Sequence, residues 1–482
     1  MDRKTTRRSF MTAATAAASG AILAACQPKV IEVEKIVKET VIIEGTPQVV
    51  EKVVKETVVQ KEVVKETVVV VEDKVHISWY DWNAGVTDKE IADRTVADFM
   101  EENPDIEVEL QGAPGGNYYE KLQTVLAAGI APDVINFQSW LWQPFAKRGV
   151  IREISELRER DQWNTPFELR WEDLWATQLY FRGKLYCQPY NTAPMVMFYL
   201  KDPFDEMGIP YPTADWTEEE FKELAQKLTF EKGGVKTYGY YANTSYERMA
   251  CWMRLNGEKE WDTENEPKTA TFDNPTVVDA LQWQLYDTVN TLQCSPTPAD
   301  MQGGANSIQS GNVAMKMEGA WHLPLMQGSS ASKQGGVNFD VVTMPKGSTG
   351  KSCHMGFAHV QTLNAATDQV EAAWKLFKFT GDAKCQQHMS EGGRQPNTPE
   401  FIRRFWVESA QESYNFQNAQ AFIDAMDTGI VQVTGLYGPT INNEVWNPFR
   451  DAVVAGDATV AELISDVNDG MQQLCDDYWA EG

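Results

Sequence analysis

The hydrophobic positions change period several times between residues 75 and 140. Val75, Ile77 and Trp79 alternate with His76 and Ser78, which predicts a strand over Val75–Tyr80. From Asp88 to Asn103 the spacing lengthens. Ile91, Val96, Phe99 and Met100 form one helical face, and Asn103-Pro104 ends it. Ile106–Leu110 alternates again. Tyr119, Leu122, Val125 and Leu126 then place a second helix over Tyr118–Ala128, and Pro132–Phe137 reads as a third strand. Strand–helix–strand–helix–strand in this order predicts a parallel sheet of the α/β class.

Two apolar strand-like runs, joined at Gln188–Pro194, lie between Lys184 and Leu200. Trp216–Leu228 reads as a helix with Thr217 as N-cap and Glu220 at the capping-box position. Tyr238–Tyr241 reads as a strand, Tyr246–Leu255 as a helix, and Asn274–Leu292 as a helix opened by Pro275. Ser310–Trp321 stands out. Gly311-Asn312 signals a turn, and Val313, Met315 and Met317 alternate with Ala314 and Lys316 as a short strand. Gly319 permits a turn or a close approach, and Trp321 follows just past the strand end, where α/β proteins place ligands. Strands over Val337–Pro345 and Gly356–Val360, a helix over Val370–Thr380, a Gly-rich loop at Glu391–Asn397, and closing helices over Trp446–Ala455 and Thr459–Trp479 complete the pattern.

The first 74 residues are different. Thr6-Arg7-Arg8-Ser9-Phe10-Met11 resembles a twin-arginine export motif, followed by a short apolar stretch from Ala13 to Ala25. Leu23-Ala24-Ala25-Cys26 resembles a lipobox, in which Cys26 becomes a lipidated N-terminus. Residues 1–25 therefore read as a signal peptide and 26–74 as a separate segment. In that segment Glu34-Lys-Ile-Val-Lys-Glu-Thr40 recurs as Glu51-Lys-Val-Val-Lys-Glu-Thr57. Lacking aromatic residues, it is read first as a spacer. The recurrence of Val50, Val53/Val54 and Thr57/Val58 offers a coiled stalk as the second reading, ranked lower because Val is a weak helix former. Pairing strands are the third.

Charge and composition narrow the partners. The net charge is −26, and residues 1–25 carry +3, so the remainder carries −29. Such a body argues against nucleic acid as a partner. Beyond Cys26, six cysteines (Cys187, Cys251, Cys294, Cys353, Cys385 and Cys475) permit disulfides or buried thiols. No C-x-x-C, H-E-x-x-H or Walker-type pattern occurs, so no metal or other cofactor is expected.

Several stretches together resemble the extracellular solute-binding proteins of ABC importers, the maltose-binding-protein-like sugar receptors. Asn103-Pro104 before Ile106, Tyr119-Glu-Lys-Leu-Gln-Thr-Val-Leu-Ala-Ala-Gly129, Pro132-Asp133-Val134, Phe204-Asp-Glu-Met-Gly-Ile-Pro210, Ala314-Met-Lys-Met-Glu-Gly-Ala-Trp321 and Ala372-Ala-Trp-Lys-Leu-Phe-Lys-Phe379 occur in family order. The resemblance covers roughly residues 75–482 and implies a two-lobe periplasmic-binding-protein-like α/β fold with discontinuous lobes. Residues 75–187 plus 353–397 would form one lobe and 191–345 plus 398–482 the other, with a hinge near residues 184–200. It also implies a carbohydrate ligand in the interlobe cleft, handed to ABC transporter permease subunits, with no chemistry. The protein would be exported and held as a lipoprotein at the outer face of the cell membrane or in the periplasm.

Sugar faces bind aromatic planes and sugar hydroxyls bind polar side chains. The expected ligand-binding residues are accordingly Trp82, Asn83, Gln138, Ser139, Trp140, Tyr190, Asn191, Tyr241, Trp252, Trp321, Phe357, Arg394 and Trp446, with Gln395 beside Arg394 in the Gly-rich loop. Trp171, Trp175, Trp283 and Trp374 fall in helical patterns and read as packing. The alternatives are an importer receptor for a polyol phosphate, polyamine or peptide and, with less support, a glycan-active surface enzyme.

Overall fold

The computed structural model describes residues 30–43, 46–59, 74–82, 86–113, 117–163, 176–304, 306–327, 336–430, 433–436 and 438–480. Residues 1–25, for which a signal peptide is expected, and Cys26, Asn83, Trp171 and Trp175 lie outside them. The chain divides into two units, residues up to Glu72 and residues from Asp73 onward.

In the first unit, Val30–Ile43 and Thr46–Val59 pair as one antiparallel hairpin, with Ile43 opposite Thr46 and Val30 opposite Val59. Of the two conformations the sequence offers for this segment, it adopts the paired strands rather than the coiled stalk. The physical reason is the repeat itself. β-Branched Val is stiff at χ1 and suits a pleated backbone better than a helix. In this register Glu34 stands opposite Lys55 and Lys38 opposite Glu51.

Among the described residues, the second unit has two principal sheets and two short two-stranded ones, Tyr180–Phe181 with Lys184–Leu185 and Phe230–Lys232 with Val235–Thr237. In the larger, the strand order is Gly429–Ile430, His354–Leu363, Val134–Gln138, Val75–Trp82, Ile106–Ala113, and Cys187–Pro194 also pairs with His354–Leu363. Val75–Trp82 runs parallel to both of its neighbours, as the alternating pattern requires. The helices Val86–Glu102 and Val370–Thr380 pack on this sheet. Trp374 is buried there, stacked on Phe377 at 5.1 Å.

The smaller sheet has Val196–Leu200 between Met315–Glu318 and Phe339–Val342, both antiparallel to it. Both faces are buried, so alternate residues enter different cores. Val196, Phe198 and Leu200 join one hydrophobic cluster, while Met197 and Tyr199 join another with the helices Glu218–Lys227 and Tyr246–Arg254. The segment around 402–426 packs in the first cluster and touches both sheets' surroundings: Ser390 Oγ donates to Phe405 O at 2.5 Å, and Asn418 Nδ2 to Val341 O at 3.0 Å.

Thr217 and Glu220 form the expected capping box, the Glu220 N–H donating to Thr217 Oγ1 at 3.2 Å. Elsewhere the elements differ from the expectation. Tyr238–Tyr241 makes two isolated bridges, to Val313 and Lys316, rather than a continuous strand. The helix expected over Asn274–Leu292 is α-helical over Pro275–Leu281 and then widens to a π-helix over Gln282–Thr291. All six cysteines after Cys26 are buried free thiols, which settles the choice between thiols and disulfides.

Two chain crossings join the sheets, from Cys187–Pro194 to Val196–Leu200 and from Phe339–Val342 to His354–Leu363, and one short stretch holds them. At the first, Met195 N donates to Met355 O at 2.7 Å. At the second, Met344 N donates to His354 Nε2 at 2.9 Å. Since that nitrogen accepts, Nδ1 carries the proton and donates to Thr428 Oγ1, 2.7 Å away, just before the short strand Gly429–Ile430. Burial pushes His354 down to about 3, so it is neutral at physiological pH.

Candidate binding cleft

A cavity of about 580 Å³ lies between residues of the larger sheet and residues of the turn that follows the smaller sheet's strand Met315–Glu318. Its walls come from strand ends and the turns that follow them, as α/β sheets dictate. Asp81 and Trp82 end Val75–Trp82, Gln138 ends Val134–Gln138, and Trp140 follows it. Tyr190 and Asn191 come from Cys187–Pro194, Glu247 and Arg248 from the first turn of Tyr246–Arg254, and Arg394 and Gln395 from the loop after Ala383–Glu391.

Trp321 lines the cavity from the turn Ala320–His322, directly after Met315–Glu318. The glycine before it has a steric cause. A Cβ on Gly319 would lie 1.9 Å from the Trp321 ring, so only glycine lets the indole fold back over its own chain. Gly319 has an extended φ of −94°, so close approach rather than a turn is what it provides. Opposite elements supply further rings: Trp82 lies 4.9 Å from Tyr118 and 5.5 Å from His359, centroid to centroid, and Tyr190 makes an edge contact with Trp79 at 5.7 Å.

Of the thirteen expected residues, Trp82, Gln138, Trp140, Tyr190, Asn191, Trp321 and Arg394 therefore line one cavity. The others divide. Phe357 belongs to the strand His354–Leu363, but its side chain, like Asn83, is outside the described residues. Ser139 is fully buried, with its N–H donating to Ala358 O at 2.9 Å, and does not line the cavity. Tyr241 lies beside it, under Lys316 at 5.2 Å, again without lining it. Trp252 and Trp446 need correction. Trp252 stacks on Phe221 at 5.0 Å, and Trp446 meets Tyr246 edge-on at 5.3 Å and donates to Thr244 O at 3.0 Å. Trp252 is a core residue because the helix Tyr246–Arg254 turns only its first residues to the cleft, with Met249, Trp252 and Met253 facing the interior, and Trp446, at the end of Ile441–Trp446, is fully buried against Tyr246.

The sequence reading missed Asp81, Asp88, Glu247, Arg248, His359 and Asn442, which also line the cavity. A signal existed for Asp81, an acid set between Tyr80 and Trp82 at the end of an apolar strand. The charges are largely settled within the protein. Arg394 grips Asp88 with two bonds, Nε to Oδ1 at 2.7 Å and Nη2 to Oδ2 at 2.8 Å. Arg248 Nη2 donates to Glu318 Oε2 at 3.0 Å. Burial would raise the Glu318 carboxyl, but Arg248 and Lys316 outweigh it and hold it at about 2. Glu247 accepts from Asn442 Nδ2 at 3.1 Å.

Asp81 is the exception. Desolvation pushes it up to about 7, although Asn136 Nδ2 donates to its Oδ1 at 2.5 Å. His359, withdrawn from water beside Trp82, is pushed down to about 4 and is neutral. Among the described residues no cluster of three or more His, Cys, Asp or Glu could hold a metal ion.

Two sheets joined by two chain crossings, beside a cleft lined with aromatic and polar side chains, fit a two-lobed solute-binding protein. The chain belongs to the bacterial extracellular solute-binding protein family, whose profile matches residues 83–386. A binding protein of Brucella abortus (strain 2308) is 24% identical over 326 residues, 65% of this chain and 74% of that one. An ABC substrate-binding protein from Listeria monocytogenes, solved with cycloalternan, superposes with a TM-score of 0.71 at 23% identity, covering 83% of this chain and 99% of its own. A receptor from Streptomyces glaucescens GLA.O, solved unliganded and with acarbose, gives a TM-score of 0.66 at 21% identity, covering 84% and 99%. The family and these neighbours are solute-binding proteins rather than enzymes.

Proposed function

We propose that the protein captures a neutral carbohydrate, a sugar or oligosaccharide, in this cleft and delivers it to an ABC transporter permease. The carrying observation is the pairing of Trp82, Trp140, Tyr190 and Trp321 with polar groups in a cavity whose two arginines, Arg248 and Arg394, are each held by a carboxylate. Aromatic planes suit the apolar faces of sugar rings. Arg394 and Arg248 are each engaged by a carboxylate, so an anionic ligand such as a polyol phosphate would have to break an ion pair to bind. The ligands of the two solved neighbours, cycloalternan and acarbose, support the carbohydrate class.

The lobes in this reading are residues 75–187 with 353–397 and 191–345 with 398–482, closing on the ligand about the crossings near His354. Lipidation at Cys26 would hold the body at the outer face of the membrane. Six buried reduced thiols suit a chain that folds in a reducing compartment before a twin-arginine export, and so support that route. Cys26→Ser should move the exported protein from the detergent phase to the aqueous phase on phase partitioning; equal partitioning of the two forms would refute the anchor.

The test of the ligand class is thermal unfolding against a panel of mono- and oligosaccharides, polyols, amines and phosphodiesters. A sugar at ~100 times its dissociation constant adds about 2.7 kcal/mol of stability. The shift should vanish in Trp321→Ala. A shift with an amine or phosphodiester and with no sugar would refute the carbohydrate claim, and consumption of a bound sugar would make the protein an enzyme.

A further inference from the structure

The loop after Ala383–Glu391 carries a side chain that its surroundings leave unused. Gln395 is 1% exposed and lines the cavity, yet neither its Nε2 nor its Oε1 has a hydrogen-bond partner in the protein. The backbone around it is not slack. Arg394 N donates to Met389 O at 2.8 Å, and its guanidinium is fixed on Asp88. Pro396 O accepts from Thr192 Oγ1 at 2.8 Å, and Asn397 N donates to Gln386 Oε1 at 2.8 Å.

Gln386, buried nearby, shows what an architectural glutamine looks like here. Its Nε2 donates to Tyr190 O and Thr380 O, each at 3.0 Å, while its Oε1 accepts from Asn397. Gln361 also lacks partners, but it does not line the cavity, so no ligand reaches it. Leaving a buried amide unpaired is costly, and native proteins retain such groups where something else completes them.

We propose that Gln395 is a specificity-determining residue that reads two hydroxyls on neighbouring carbons of a sugar ring. The inference rests on the carbohydrate reading above. A primary amide presents an acceptor and a donor side by side. Neighbouring hydroxyls match that pair, one donating to Oε1 and the other accepting from Nε2. A ligand with one of the two removed leaves an amide atom buried and unpaired, which is how a polar site rejects a deoxygenated analogue.

The test compares wild type with Gln395→Leu and, as a second apolar replacement, Gln395→Met. Affinity is measured by calorimetry for methyl α-glucoside, maltose, maltotriose, cellobiose and xylobiose, then for the monodeoxy analogues of the tightest binder. The unfolding temperature of each ligand-free protein is measured alongside. Wild type should discriminate against at least one monodeoxy analogue by about 10- to 100-fold. The variants should bind the parent sugar weaker by the same factor, lose that discrimination, and unfold at an equal or higher temperature because an unpaired amide is gone.

Unchanged affinity, retained discrimination, a fall in unfolding temperature without loss of affinity, or failure of both variants to fold would each overturn the proposal and make the amide structural. If wild type binds none of the sugars, the carbohydrate reading fails and this inference fails with it. If wild type binds one and the variants match it, only the inference falls.

Discussion

The cleft and the hinge bury polar side chains to similar depth and treat them oppositely. At the hinge, His354 uses both ring nitrogens, accepting from Met344 N and donating to Thr428 Oγ1, while Met355 O takes the N–H of Met195. In the cleft, Gln395 is left without protein partners and Asp81 is desolvated enough to sit near 7. A buried polar group satisfied by the protein is architecture. One left short at the wall of a cavity stores a free-energy cost that a ligand can relieve. The contrast also separates the two histidines of one strand: His354 ties the crossings together, whereas His359 stands in the cleft with Trp82 against it.

The sharpest way to break this comparison is at the hinge. His354→Ala leaves the Met344 N–H buried without its acceptor and opens a cavity at the meeting point of the crossings. A loss of roughly 3 kcal/mol at pH 7 is expected, read as a lower midpoint in denaturant. The pH dependence should change too. His354 has its folded-state value pushed down to about 3, below the ordinary 6.5. The unfolded chain therefore binds the extra proton between those limits. The stability it contributes is complete above about 6.5 and is lost as pH falls toward 3. Wild type should weaken along that limb and His354→Ala should follow it less steeply. A variant as stable as wild type at pH 7 would show that the crossings do not depend on this residue.

Much of this arrangement was legible in the chain because it is local. Period-two and helical spacing located the parallel strands around Val75–Trp82, and the Thr217–Glu220 capping box is a four-residue motif. Strand-end position pointed to Trp82, Gln138, Trp140 and Trp321 because a sheet brings its strand ends to one edge. What the chain withheld depends on partners distant in sequence. Trp252 and Trp446 are as aromatic as Trp321 and differ only in finding Phe221 and Tyr246 beside them. The π-helical turns at Gln282–Thr291 and Ile441–Trp446 keep an apolar face while departing from the α period that spacing assumes. In the N-terminal repeat the Val content that ranked a coiled stalk low also favours the paired strand it adopts.

Asp81 offers a smaller and more selective measurement, since its pH dependence runs opposite to that of the hinge. Its folded-state value is raised to about 7 from the ordinary 3.8, chiefly by desolvation. Asp88 on the following helix adds repulsion, while Tyr118, Tyr190 and Cys385 press on it from neighbouring elements without supplying positive charge. Here the folded state holds the extra proton, so stability is complete below about 4 and declines as pH rises through 7. Asp81→Asn keeps an acceptor for Asn136 Nδ2 and removes the charge. It should match wild type at pH 4 and exceed it at pH 8 by on the order of 2 kcal/mol. Sugar binding then decides what the acid is for. If Asp81 serves the ligand as a hydrogen-bond donor, wild-type affinity should fall as pH rises through 7 while that of Asp81→Asn stays flat. Parallel pH profiles for the two proteins would leave Asp81 outside ligand recognition and place it with the hinge among groups that serve the fold alone.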